Sequence, residues 1–140
     1  MKKLFIFAFA IMSISAFGDN LEDGKYSVKT DKAMWSWYPY TEFTVENGEI
    51  IDVKHNRVKD DGSLASDDKS FNKMMHDKSK SSPKEYSKLI PENFFKAGKD
   101  IDKIDNVAGA TDSVNQFKKQ YKFLINKGKP GNYTMKVSDL

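Results

Sequence analysis

The dipeptide Asn47-Gly48 constrains this chain more than any other pair of residues. Both residue types tolerate positive φ, which a type I′ turn requires at each central position. The runs on either side alternate. Thr41 to Glu46 puts Phe43 and Val45 on one face, and Glu49 to His55 puts Ile51 and Val53 on one face. Two alternating runs joined by two such residues predict a β-hairpin, and a hairpin is stable only when its apolar face packs on something else. Upstream, Asp23-Gly24 reads as a turn, and Tyr26 and Val28 alternate with polar residues through Thr30, which predicts another strand. Between these runs lies Met34-Trp35-Ser36-Trp37-Tyr38-Pro39-Tyr40, the densest aromatic cluster in the chain. Pro39 has no N–H for a ladder, which argues against a central strand there.

The covering layer is expected downstream. Asn56 to Ser66 is a polar loop around the turn Asp60-Asp61-Gly62-Ser63, whose acidic residues do not follow EF-hand spacing. Asp67 is positioned to cap a helix through about His76, with Phe71, Met74 and Met75 on its apolar side. Asp77 to Ser81 is a linker. Ser82-Pro83 opens a second helix, in which Tyr86, Leu89 and Ile90 share a face and Pro91 breaks or kinks the rod. Phe94 and Phe95 extend its apolar surface, and Gly98 ends it. Ile101, Ile104 and Val107 are spaced by three, which leaves an extended approach and a turn both open. Ser113-Val114-Asn115-Gln116 matches a capping box. Val114, Phe117, Tyr121, Leu124 and Ile125 then recur at helical spacing, and Gly128 fits the position just past the helix end. Asn132 to Val137 reads as a closing strand with Tyr133, Met135 and Val137 on one face. These elements predict a single α+β domain, a mostly antiparallel sheet with helices packed on one side.

The chain has 140 residues and no cysteine. Its start reads as a secretory signal: Lys2 and Lys3, the apolar run Leu4 to Met12, then Ala16-Phe17-Gly18 with small residues where a signal peptidase reads them. The expected division is a signal peptide over 1–18 and a mature domain over 19–140, exported to the periplasm or beyond. A retained membrane anchor is the alternative. Without cysteine the chain can carry neither a lipid at the cleavage site nor a disulfide. Removing Lys2 and Lys3 from the 23 basic residues leaves 21 against 20 acidic ones. The signs are interspersed, so no nucleic-acid footprint is expected. His55 and His76 are isolated in sequence, and the aspartates at 100, 102 and 105 match no metal loop, so no metal site is expected. With two histidines and no cysteine, no nucleophile–base pairing is readable.

The candidate site is Asp105-Asn106-Val107-Ala108-Gly109-Ala110-Thr111-Asp112-Ser113. Its small-residue middle runs straight into the third predicted helix, an arrangement that turns backbone N–H groups toward an anion. Gly109 and Ala110 let the backbone approach closely, Thr111 supplies a hydroxyl, and Asp112 and Ser113 flank the helix start. Thr111 also reads simply as a helix-cap residue, and Gly109 as a turn glycine.

This segment resembles the flavinylation motif of the FMN-binding domain family, which includes the flavin-carrying subunits of sodium-pumping NADH:quinone reductases and many small exported flavoproteins. The family motif reads Asp, two free positions, Ser or Thr, Gly, Ala, Thr. Asp105, Gly109, Ala110 and Thr111 match it, while Ala108 stands where the family has a hydroxyl residue. The opening Asp23-Gly24-Lys25-Tyr26 and the Asn47-Gly48 turn before Ile50 resemble the family too. The resemblance spans roughly 21–128. It implies FMN joined by a phosphoester to Thr111, attached by a separate flavin transferase that uses FAD as donor. It also implies an electron carrier more than an enzyme, working between a membrane-bound donor and an extracytoplasmic redox partner. A covalent tether suits a compartment poor in free flavin, because it makes ring binding intramolecular. Trp35, Trp37, Tyr38, Tyr40, Met74 and Met75 are candidates for the ring slot, and Lys118 and Lys119 for screening the phosphate. The competing expectation is a non-redox exported binding module of the same fold without flavin.

Overall fold

A computed structural model describes residues 21–140, so the predicted signal segment, 1–18, lies outside the described residues. Three strands come first: β1 Gly24–Thr30, β2 Tyr38–Glu46 and β3 Glu49–Val58. Three helices follow, α1 Lys69–Ser79, α2 Pro83–Lys96 and α3 Thr111–Lys127, and then β4, Gly131–Met135. The predicted hairpin tip is where it was expected. Asn47 and Gly48 have φ of 54° and 77°, and they alone separate β2 from β3. The Asp23 carboxylate accepts hydrogen bonds from the N–H groups of Gly48 (2.9 Å) and Asn47 (3.0 Å), which hold its pKa below the usual carboxylate range. The residue before β1 thereby also ties down the hairpin tip.

The sheet order is β3-β2-β1-β4. β1–β2 and β2–β3 are antiparallel, whereas β4 runs parallel to β1 along one edge, as a strand that returns through a helical crossover can. Alternation sends Tyr26, Val28, Thr41, Phe43, Val45 and Val53 to one buried face. On the other face Glu42 lies 3.7 Å from Lys25 and 3.8 Å from Lys54. α2 and α3 both cover the apolar face. Phe94 of α2 meets Phe117 and Tyr121 of α3 at ring distances of 6.0 and 5.3 Å, and Phe43 of β2 meets Tyr121 at 5.5 Å. This is the α+β arrangement the pattern predicts, with helices on one side of a mostly antiparallel sheet.

Several local expectations are corrected. In β3, Ile50 and Val53 are buried and Ile51 is exposed, because the register shifts between Thr44 and Val45 and Ile51 becomes the extra residue of a bulge. Pro39 lies within β2, an interior strand. The ladder to β1 ends at Tyr40, so Pro39 sits beyond it and its missing N–H breaks no bond on that side. Pro91 does not end α2, which runs on to Lys96 because Tyr86, Ile90 and Phe94 bury one continuous stripe. The cap of α1 is Asp68, one residue after the expected Asp67, and it accepts from the N–H of Phe71 at 2.9 Å. The stretch left open before the motif is a turn, Ile101–Lys103, with Ile101, Ile104 and Val107 all in the core. β4 stops at Met135, and Val137 belongs to a short terminal turn.

Candidate functional site

The motif leaves the core and returns to it within a few residues. Val107 and Ala110 are buried, while Asp105, Asn106, Ala108 and Gly109 are exposed. The turn is closed by the N–H of Ala110 donating to the carbonyl of Val107 at 2.9 Å. The Asp105 carbonyl accepts from the Asn93 side chain at 3.2 Å, which ties the motif to α2. Gly109 has φ of +79°, and a Cβ there would collide with the carbonyl oxygen of Ser79 and come within 3.2 Å of the Lys80 carbonyl carbon. The motif therefore packs on the chain leaving α1, where Lys80 is itself left-handed.

α3 starts at Thr111, with Ala110 as a cap residue that has no capping side chain. The expected capping box at Ser113 and Gln116 is not formed. The helix begins two residues earlier than that box requires, and both side chains are turned into the interior and buried. The N–H groups of the first turn are thus left without a side-chain acceptor, which keeps them available to an external anion. Thr111 is exposed, and its Oγ1 accepts from Asn106 Nδ2 at 3.0 Å. Asp112, also exposed, suits the helix dipole but opposes an anion placed at the same end. Ala108 is exposed, so its position has room for the larger hydroxyl residue of the family pattern.

The aromatic cluster lies elsewhere. Trp37 is buried against Phe71 at a ring distance of 5.4 Å, with Lys59 Nζ 4.5 Å from its ring. Trp35 is 84% exposed. Phe71 is at the start of α1 and Ser79 at its end, a separation of roughly 12 Å along the helix axis. The cluster and the motif thus meet opposite ends of α1, and Met74 and Met75, exposed and half-buried, lie between. An open cleft of about 440 Å³ is lined by Ala33, Ser36, Tyr38, Lys59, Asp60 and Asp61, none of which belongs to the motif.

Behind the first turn of α3 the core becomes polar. The inward residues of β3 run Val53, His55, Arg57; His55 faces Phe117 of α3 and Tyr86 of α2, and Tyr86 lies close to both Arg57 and Ser113. The hydrogen bonds here determine one another. The Pro39 carbonyl can only accept, so the bond to it at 2.9 Å comes from Gln120 Nε2. Gln120 Oε1 must then accept, so the Thr41 hydroxyl donates to it at 2.7 Å. Thr41 has no second proton, so the 2.9 Å contact to His55 Nδ1 places the imidazole proton on Nδ1. Nε2 is left as a bare acceptor without a partner. Burial, reinforced by the charge of Arg57, pushes the His55 pKa down to about 3.

Arg57 is the only arginine in the chain. Among the described residues no carboxylate lies within ion-pair distance of it, and no described hydrogen bond uses its side-chain nitrogens. Burial raises the Tyr86 phenol pKa, while the nearby Arg57 charge and the hydroxyl of Ser113 pull it the other way. The sequence reading missed this cluster. It followed apolar spacing along α2 and α3 and did not extend the inward alternation of β3 past His55. The signal that would have revealed it is a lone arginine two residues beyond an inward-facing histidine.

Fold and site together define a small α+β domain with an exposed threonine hydroxyl on an uncapped helix N-terminus. The chain is similar in structure to the CPE2226 protein of Clostridium perfringens, with a TM-score of 0.73 and 28% sequence identity over 84% of this chain and 98% of that one. A solution NMR structure of a Clostridium thermocellum protein matches with a TM-score of 0.48 and 17% identity, over 76% of this chain and 92% of that one. No family model matches the chain. No curated protein matches it either.

Proposed function

We propose that this protein is an exported electron carrier of the FMN-binding domain type, with FMN held by a phosphoester on Thr111. The observation that carries the reading is the presentation of Thr111. A left-handed Gly109, packed too closely on Ser79 to bear a side chain, delivers an exposed hydroxyl to the first residue of an uncapped helix. Asn106 donates to Thr111 Oγ1 and leaves a lone pair of that oxygen available to attack. In the attachment step, Thr111 Oγ1 bonds to the flavin-side phosphorus of FAD, the bond to AMP breaks, and the hydroxyl proton is released. The first-turn N–H groups and the helix dipole then stabilise the phosphodiester charge. Bound FMN supplies reversible electron transfer, and the protein supplies its position and environment. The reading brings with it a flavin transferase for maturation, a redox partner outside the cytoplasm, and export by the segment 1–18.

The test is mass spectrometry of the chain co-expressed with a flavin transferase and exported. Wild type gains the mass of FMN less water, Thr111→Ala loses the label, Thr111→Ser retains it, and Ala108→Ser labels at least as well as wild type. Ser113 is buried and Thr134 exposed, so they serve as two control hydroxyls of opposite accessibility. A label that survives Thr111→Ala refutes the assignment. Wild type with neither covalent nor bound flavin, despite an active transferase, replaces the carrier with the non-redox binding module.

A further inference from the structure

We infer that Arg57, with His55, Tyr86 and Ser113 around it, is a receptor for one phosphate that still carries an O–H, as hydrogen phosphate or the monoanion of a phosphomonoester, behind the first turn of α3. The inference does not depend on flavin attachment. It starts from an unbalanced charge. An arginine this far buried ordinarily has a carboxylate, because desolvating an unpaired charge is unfavourable. Arg57 is only 7% exposed and has no such partner among the described residues.

Polar atoms on the elements packed here are unsatisfied too. Arg57 Nε, Ser81 Oγ, Gln116 Oε1 and His55 Nε2 are buried without a hydrogen-bond partner, and Tyr86 OH makes no bond of full geometry although Arg57 and Ser113 lie close enough to act on it. Native interiors pair the large majority of such atoms, so these are open to a partner from outside the chain, whether ordered water or a bound ligand. Tyr86 connects the set. Its ring lies 6.1 Å from that of His55, and its hydroxyl feels both Arg57 and Ser113. Ser113 comes from the first turn of α3, whose dipole adds positive potential on the same side.

The chemistry of these atoms selects the ligand. Arg57, Tyr86 and Ser113 offer donors, which suit an oxyanion. His55 Nε2, bare of its proton, is an acceptor and takes a donor from the ligand. A carboxylate or sulfate has no O–H at neutral pH; hydrogen phosphate keeps one, and a phosphomonoester, whose second pKa is about 6, keeps one in its monoanionic form. The diester formed by FMN on Thr111 has none, so the tethered cofactor does not fit this set.

The experiment uses the exported chain carrying Thr111→Ala, so flavin state plays no part. Inorganic phosphate, sulfate and acetate are titrated at pH 7 and fixed ionic strength, read by thermal denaturation and, for phosphate, by phosphorus NMR line broadening. Phosphate is expected to bind saturably, and more tightly than sulfate or acetate by about tenfold or more, the effect of one charge-assisted hydrogen bond. Arg57→Gln abolishes the binding and Tyr86→Phe, which keeps the ring volume, weakens it by about tenfold. Ribose 5-phosphate is compared with phosphate at pH 6, where about half of it carries the O–H; binding as tight as phosphate identifies an organic monoester as the occupant, and failure to bind identifies the free ion. No saturable phosphate binding, equal binding of sulfate, or phosphate binding unchanged in Arg57→Gln or Tyr86→Phe overturns the inference.

Discussion

Gly109 and Gly48 form a matched pair that isolates the contact shaping the candidate site. Their φ values are +79° and +77°, so an alanine at either position meets the same backbone penalty, about 1–2 kcal/mol for a left-handed residue with a Cβ. Their surroundings differ. A Cβ at Gly48 meets nothing within 4 Å, while one at Gly109 collides with the Ser79 carbonyl oxygen. That obstacle is backbone at the end of α1 and cannot swing aside as a side chain would. The added cost at Gly109 is that of forced overpacking, about 1–3 kcal/mol. For a domain of this size, roughly 4 °C of Tm accompanies each kcal/mol. Gly109→Ala should therefore melt roughly 4–12 °C below Gly48→Ala, on top of the drop the two share. Differential scanning calorimetry of both variants measures this directly. Flavin labelling gives a second readout, since a displaced turn misplaces Thr111. Tm values for the two variants within about 2 °C of each other would refute the claim that the motif turn is braced by Ser79, the difference being then no larger than an inert surface change.

Protonation of His55 links stability to pH. Its folded pKa of about 3 lies below the ordinary 6.5, so its contribution is complete above pH 6.5 and is lost as pH falls toward 3. Between pH 7 and pH 5 this removes about 2 kcal/mol; urea unfolding across that window should show the loss in wild type and a flatter profile in His55→Gln. Gln120→Met keeps the volume but strands the Thr41 hydroxyl and the Pro39 carbonyl, and should cost about 2–4 kcal/mol in the same assay; a cost under ~0.5 kcal/mol would refute the bonding order derived above. Gly48→Val adds a β-branched side chain at positive φ and should destabilise more than Gly48→Ala does, by calorimetry. N-terminal sequencing of the exported protein should begin at Asp19; an intact Met1 there would exclude cleavage.

How much was legible in the sequence differs from element to element. The hairpin needed only its own residues, because the positive φ at Asn47 and Gly48 and the alternation beside them are local properties. The Gly109-Ala110-Thr111 turn into a helix was legible for the same reason. Tertiary contacts decided the rest. The bulge at Ile51 inverts which isoleucine faces the core, and only the pairing of β3 with β2 reveals it. Ser113 has the chemistry of a cap, yet α3 starts at Thr111, because burying Ser113, Gln116 and Gln120 sets where the helix turns its faces. Asn106 as the partner of Thr111 depends on how the motif turn closes, and Ser79 as the wall behind Gly109 comes from a segment whose sequence gives no hint of the meeting. The Arg57 cluster is drawn from β3, α2 and α3. Its members are ordinary polar residues in sequence, and burial beside one unpaired charge, which only the packed fold creates, turns them into a site.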